Sequence, residues 1–491
     1  MKQKKFFLMA AVLLFAVLMA VFAVTSFAAR LPGDIDNDGV ITAADARLWL
    51  RISARLEKIE DYYSPEELEG YSGDTDPAGP SDANFKVSFG VADGGYFIAG
   101  ESKAAITLTS DADVKSATLS VIDVMDETVY RTTVRDIKKE IPVTVEWDGK
   151  TASGEYVGSG DYTVSVGSGD NAVKSESLYF TAKNWFSAGN GSETNPFLIG
   201  NKEDVENIIR YPRANYKQIK DIDYDYATAK SMFTKDLPFN GVYDGNNKKL
   251  LNLIAKDSLF TYVGEDGSLI NITFIDGSFY GDGGIVYENS GIMKNIKTEN
   301  GSFSSLGGLA YTNNGKILDC DLDVLMTGEY KKSNYYEQNI NIQTYLGVVA
   351  ANNNGLISGC KLKGSFVGII TNHSNAPAGA RDDLSGYIGA IAGCNKGRVI
   401  NCISDVSVHV VANSPCTYAY SGGLVGVNGV DGSIQNSESK GSVTGEAKKH
   451  SYCICGAIGG IASNNGGQIK NCIYSGESDV NLAGTGSGII A

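Results

Sequence analysis

Thirteen residues near the start of the chain carry its most specific chemistry: Gly33-Asp34-Ile35-Asp36-Asn37-Asp38-Gly39-Val40-Ile41-Thr42-Ala43-Ala44-Asp45. Three carboxylates two residues apart, a glycine for a sharp turn, and an acid at the twelfth position form the loop spacing that wraps a hard cation in oxygen. The expected calcium ligands are the side chains of Asp34, Asp36, Asp38 and Asp45 and the carbonyl of Val40, with Thr42 facing the same ion. Downstream, Leu48, Ile52, Leu56 and Ile59 share one helical face, so a helix follows the loop.

Elsewhere the chemistry is sparser. Asp319, Asp321 and Asp323 alternate along one strand face, and such carboxylates could hold a cation or act as acid and base. Solvation of an outer face accounts for them equally well. His373, His409 and His450 lack ligand spacing, which argues against a zinc site. Tyr330, Tyr335, Tyr336 and Tyr418 lie in long insertions and offer aromatic faces suited to sugar rings. Tyr345, Tyr387 and Tyr420, each two residues before a glycine, are placed to stack on one another instead.

A repeat positions these groups. Gly267, Gly291, Gly315, Gly355, Gly397, Gly432 and Gly467 recur 24, 24, 40, 42, 35 and 35 residues apart. Two residues after each stands an apolar residue, Leu269, Met293, Ile317, Ile357, Val399, Ile434 or Ile469. Four after comes Asn271, Asn295, Asp319, Gly359, Asn401, Asn436 or Asn471, and five after Ile272, Ile296, Cys320, Cys360, Cys402, Ser437 or Cys472. Short β-branched runs of period two with an invariant phrase and variable spacers predict a solenoid of strands, a right-handed parallel β-helix. Apolar and Cys columns should fill its interior, Asn should ladder from coil to coil, and glycines should supply positive φ at corners. The insertions 330–343, 371–385, 413–420 and 446–451 should loop out along one edge as a binding surface.

All eight cysteines lie in this array. Four belong to the interior column. Cys416 and Cys453 each precede an opening glycine by six residues and are expected to form a disulfide between adjacent coils, with Cys455 a rival partner. Asn201 should cap a short helix bearing Val205 and Ile208, a lid on the first coil. Gly488-Ile489-Ile490-Ala491 opens like another coil, so the array is expected to continue in a longer reading frame.

The chain begins with Lys2, Lys4 and Lys5, an apolar run to Val24, and Ser26-Phe27-Ala28, which read as a secretory signal over 1–28. An uncleaved anchor is the alternative. Cleavage takes the formal net charge from −15 to −18, which disfavours nucleic acid and anionic membrane as partners. No other run is long enough to span a bilayer, so an extracellular, secreted or surface-associated protein with no membrane insertion after cleavage is expected.

Three resemblances arise from these motifs. Gly422-Gly423-Leu424-Val425-Gly426-Val427-Asn428 with Ile434-Gln435-Asn436, and the lead-in Phe186 to Gly191, Asn195 to Ile199 and Phe239 to Gly245, resemble the GLUG-motif repeats of bacterial surface proteins over residues 184–491. The calcium loop and its helix resemble half of a type I dockerin, the module that binds cohesin domains on scaffolding proteins. The resemblance places partner contacts on Ala43, Ala44, Arg51 and Arg55. The second half departs from the pattern, since Ala78 and Phe85 replace acids in the loop that starts at Gly73. Trp147-Asp148-Gly149-Lys150 with Gly154 to Val157 and Gly160 to Thr163 resembles the immunoglobulin-like repeat of the flagellar hook-capping protein, expected here as a β-sandwich spacer.

The expected order is signal 1–28, partial dockerin 29–83, sandwich 84–182 and β-helix 183–491. The expected function is non-catalytic attachment through calcium and a cohesin, with polysaccharide, host glycan or protein bound by the β-helix. The alternatives are a dockerin-targeted β-helical polysaccharide lyase or hydrolase, and a purely structural adhesin stalk.

Overall fold

The computed structural model describes residues 83–167, 172–332, 342–372, 384–413, 417–447, 454–482 and 489–490. The calcium loop, its helix and the four partner residues lie outside these, as do Tyr335, Tyr336, Cys416 and Cys453. The described residues all belong to the compact unit Gly79–Ala491.

Alternating burial along Ala104–Ser110 and Gly160–Val166 makes each strand apolar on one side. Two sheets pack those sides together. One runs Phe85–Val91, Ala104–Ser110, Val143–Trp147, all antiparallel. The other orders Phe97–Ile98, Leu178–Thr181, Gly160–Val166, Val114–Ile122 and Thr128–Ile137. The Trp-Asp-Gly-Lys motif closes the core: buried Trp147 donates Nε1–H to the Lys150 carbonyl at 2.7 Å. Gly149 at φ +82° lets Phe180 lie where a Cβ would fall.

This sandwich is docked on the C-terminal domain and is no loose spacer. Tyr96 packs on Tyr211 and Phe197 with ring centroids 4.6 and 6.0 Å apart, and Ile98 joins the C-terminal domain's core. Asp93 accepts from Asn190 Nδ2 at 3.0 Å and Ser192 Oγ at 2.8 Å, and Glu101 accepts from the Gly189 amide. The lid helix, Lys202–Asn207, is capped by Asn201 Oδ1, which accepts from the Asp204 amide at 2.9 Å; Val205 and Ile208 are buried beneath it.

Beyond the lid every strand pairs parallel with its equivalent one coil away. A first wall stacks ten strands from Phe197–Ile199 to Gln468–Lys470. The repeat's apolar column lies at its centre in one register: Leu269, Met293, Ile317, Ile357, Val399, Ile434, Ile469. All but Ile469 are fully buried, each such side chain stabilising the tube by roughly 1.5–3 kcal/mol. A second wall includes Thr273–Ile275, Lys297–Ser304, Asp321–Lys332, Lys361–Asn372 and Ile403–Ala412. A third runs from Phe260–Val263 through Val286–Asn289, Ala310–Asn313, Ala350–Asn353, Ala392–Asn395 and Val425–Asn428 to Ala462–Asn465. Cys320, Cys360 and Cys402 point inward, at most 1% exposed.

Three expectations change. Left-handed backbone falls on the Asn column, Asn271, Asn295, Asp319, Asn401, Asn436 and Asn471 at φ 49–56°, not on the turn glycines. Those are glycine for lack of room: a Cβ on Gly315, Gly355 or Gly397 would sit 2.1 Å from the carbonyl oxygen of the glycine one coil earlier. The Asn column, moreover, ladders only in pieces, Asn295 to Asn271 at 2.9 Å and Asn471 to Asn436 at 3.1 Å, and Asp319 and Gly359 stand in the gap between Asn295 and Asn401. An unbroken ladder runs elsewhere, at the end of the third wall: Asn289, Asn313, Asn353, Asn395 and Asn428 each donate Nδ2–H to the next Oδ1, ending on Asn465, at 2.7–2.8 Å.

The third change concerns the insertions. Their described ends are strand: Asp321–Lys332 takes in 330–332 and Lys361–Asn372 takes in 371–372, both running far past the narrow coil. A fourth wall then returns as Ile342–Gly347, Leu384–Gly389, Thr417–Gly422 and Ile454–Gly459. The two layers interlock, since Gly368 leaves room for Ile388 and Gly386 for Ile370. The tube widens where the insertions begin.

Candidate binding surface

The widening creates a step. Four residues after each opening glycine of the third wall stand Tyr287, Tyr311, Ala351, Gly393 and Gly426, in one column across the coils. The shrinkage has a cause: the fourth wall lies over the later positions. A Cβ on Gly393 would meet the Leu346 amide at 2.3 Å, and one on Gly426 the Ile388 amide at 2.8 Å. In the narrow coils nothing described covers the column, and tyrosines occupy it. Tyr287 and Tyr311 stack at 5.2 Å and 16°, with Tyr262 edge-on to Tyr287 at 5.8 Å.

One hollow borders this row at Tyr262, and a second lies at Asp282, five residues before Tyr287. The first, of about 380 Å³, is lined by Lys235, Asn240, Tyr262, Glu265, Asp266 and Glu288 among others. The second, of about 320 Å³, lies in the inner corner of the step, between Asp282, Ser304 and Ser305 of the narrow coils and Thr327 and Glu329 of the first long strand. Past Met326, which pairs with Phe303, that long strand pairs with Lys361–Asn372 on one side and with no described strand on the other. Burial raises the Tyr287 and Tyr311 hydroxyls above their ordinary pKa, with neighbouring tyrosines and the Asp282 carboxylate adding to it.

Of the tyrosines singled out in the insertions, Tyr330 is in a strand beside Ile370 and packs partly buried on the core. Tyr418 is also in a strand, between Ser385 and Ile454. Neither projects from a loop. Tyr345, Tyr387 and Tyr420 stack at 5.7 and 4.8 Å as a ladder.

The aspartates form no acid pair. Asp321 lies between Lys297 and Lys361 in adjacent strands, and Asp323 pairs with Lys363 at 3.0 Å, so the charges alternate from coil to coil. Asp319 sits at a left-handed corner. His409 Nδ1 lies 2.8 Å from Thr444 Oγ1. Among the described residues no three acids, histidines or cysteines gather as a metal site. The Tyr262, Tyr287, Tyr311 row went unrecognised in the sequence, although Tyr, Tyr, Ala, Gly, Gly at one repeat position records where the cover begins.

No curated protein matches this chain. Among solved structures, an "IgA1 Protease" is similar at 13% identity and a TM-score of 0.32; the alignment covers 79% of this chain and 26% of that one. Residues 94–172 match the family model of the FlgD Ig-like domain, and the sandwich that docks on the tube is an immunoglobulin-like domain of this kind.

Proposed function

We propose that this is a secreted, non-catalytic binding protein whose solenoid, of the GLUG-repeat type, presents one edge and one stepped face to a glycan or protein. The observation that carries the reading is register: the strands bracketing successive insertions pair residue for residue, Lys332 with Asn372 and Ile342 with Leu384, so the ends that flank the variable segments line up along a single edge. Alternation of Asp321 and Asp323 with lysines weighs against the lyase or hydrolase reading. An array of neutral and acidic glycans probed with the mature chain tests the proposal, alongside a screen for released sugar. Saturable binding without product supports it, and released sugar overturns it.

Attachment belongs to the N-terminal segment. Asp34, Asp36, Asp38 and Asp45, with the Val40 carbonyl and Thr42, are an all-oxygen donor set suited to calcium, which would order the loop ahead of its helix. Ala43, Ala44, Arg51 and Arg55 would then meet a cohesin. Calorimetry with calcium on the mature chain should show one site, lost in the D36A/D38A double variant. Heat unchanged by that variant would remove it.

A further inference from the structure

We propose that the corner hollow of the step is a subsite for one uncharged pyranose residue of a glycan chain lying across the uncovered tyrosines. This rests on the glycan-binding reading above and moves the recognition from the insertions to the step.

Two kinds of group meet there. Asp282 and Glu329 bring carboxylates, strong acceptors for paired sugar hydroxyls, and Ser304, Ser305 and Thr327 bring hydroxyls that both give and take. Ser305 is the telling one. It lines the hollow at 5% exposure, while its Oγ is itself closed off from solvent and has no hydrogen-bond partner among the described residues. A buried hydroxyl left unpaired costs stability, and a rotation of the Ser305 side chain that turns its Oγ into the hollow would let a polar ligand recover it. The stacked rings of Tyr287 and Tyr311 do not line the hollow, but they are partly buried near it, close enough for the charge of Asp282, which does line it, to act on both. Each ring gives one face to the other, so the remaining ring surface and the hydroxyls, beside polar acceptors, are what the pair offers to the C–H face and hydroxyl rim of a pyranose.

Size and charge narrow the ligand further. About 320 Å³ lies at the small end of ligand pockets, which run from ~300 to 1,000 Å³, so the hollow takes one ring and leaves the rest of a chain to the tyrosines. Lys331 already holds Glu329 Oε2 at 2.9 Å, and no cation is among the described residues that line the hollow. A uronate would bring its carboxylate against Asp282 and against a Glu329 that Lys331 offsets, and the uncompensated Asp282 charge disfavours it.

The test uses the mature full chain, titrated calorimetrically with cellotetraose, chitotetraose and tetragalacturonate. At least one neutral probe should bind, and tetragalacturonate at least about tenfold more weakly. D282N, S305A and Y311A should each weaken the neutral probe by about tenfold, with Y311F, which keeps the ring, binding like the parent. Circular dichroism identifies any variant that misfolds, and D282N and S305A carry the test if Y311A does. Neutral binding insensitive to D282N and S305A but abolished by Y335A/Y336A overturns this subsite and leaves the glycan reading standing. Preference for tetragalacturonate overturns it too. A chain that binds nothing on the glycan array loses both.

Discussion

Asn353 donates its side-chain amide to Asn395 at 2.7 Å across adjacent coils, and both side chains are wholly inside the tube. Asn395 in turn donates to Asn428. Its replacement by Ala strands one donor and one acceptor where water does not reach, each worth about 1–3 kcal/mol. N395A is expected to lower solenoid stability by about 2–5 kcal/mol in urea unfolding followed by circular dichroism. A loss below about 0.5 kcal/mol would mean that the ladder contributes nothing net.

The sandwich should hold the tube's entrance shut. Burial raises the Asp93 pKa, but the hydrogen bonds from Asn190, Gly95 and Ser192 outweigh it and leave the carboxyl below its ordinary value. A depressed carboxylate stabilises the fold above its unfolded pKa, near 3.9, and that stabilisation goes as pH falls through the lower folded value. D93A is expected to speed proteolytic cleavage between the two domains at neutral pH, with little difference from the parent well below pH 3. Equal cleavage rates at neutral pH would show that the contact does not hold them.

Gly355 and Gly158 give opposite expectations. A Cβ at Gly355 lands on the Gly315 carbonyl at 2.1 Å, while one at Gly158 meets nothing within 4 Å and its backbone is not left-handed. G355A should destabilise by at least about 1–3 kcal/mol through forced separation of coils. G158A should be neutral, or stabilising by up to about 1 kcal/mol through a less disordered unfolded chain. Thermal melting of both variants distinguishes crowding from glycine's conformational freedom.

The inward thiols should be inert in the folded chain. Hydrogen bonding to Cys320, then burial, raises the Cys360 pKa well above its usual value, and bonding to Cys360, then burial, does the same for Cys402. Their raised folded values favour the fold below the unfolded thiol pKa, near 8.5, and that help is lost as pH climbs through the folded values. Iodoacetamide at pH 8 should label Cys360 and Cys402 only after denaturant is added, read by peptide mass mapping. Labelling of the native chain at either residue would show that the tube opens.

The columns were legible because the residues that pair lie at fixed offsets from a glycine, whatever the insertion between them. Leu269 to Ile469 and Ile272 to Cys402 follow from those offsets alone. What offsets cannot show is the reason for a residue type: the glycines read as corners when crowding by the preceding coil explains them, and asparagine took the corner. The docking of Asp93 on Asn190 was illegible, joining residues 97 apart with no shared pattern. The fourth wall was hidden for a similar reason. Its strands, like the far ends of the second wall's long strands, sit inside spacers of unequal length, so Tyr418 in the one and Tyr330 in the other read as loop residues when they are paired strand residues.

The inner asparagine ladder bears on how such a tube can change its length. Every amide within it points the same way, receiving from the coil before and giving to the coil after, so any interior rung is chemically interchangeable with any other. A duplicated coil spliced in between Asn353 and Asn395 would find one hand to take and one to hold, with no orphan created. Growth and loss of whole turns is then close to neutral in the interior, and selection on reach can act on copy number without redesigning the wall.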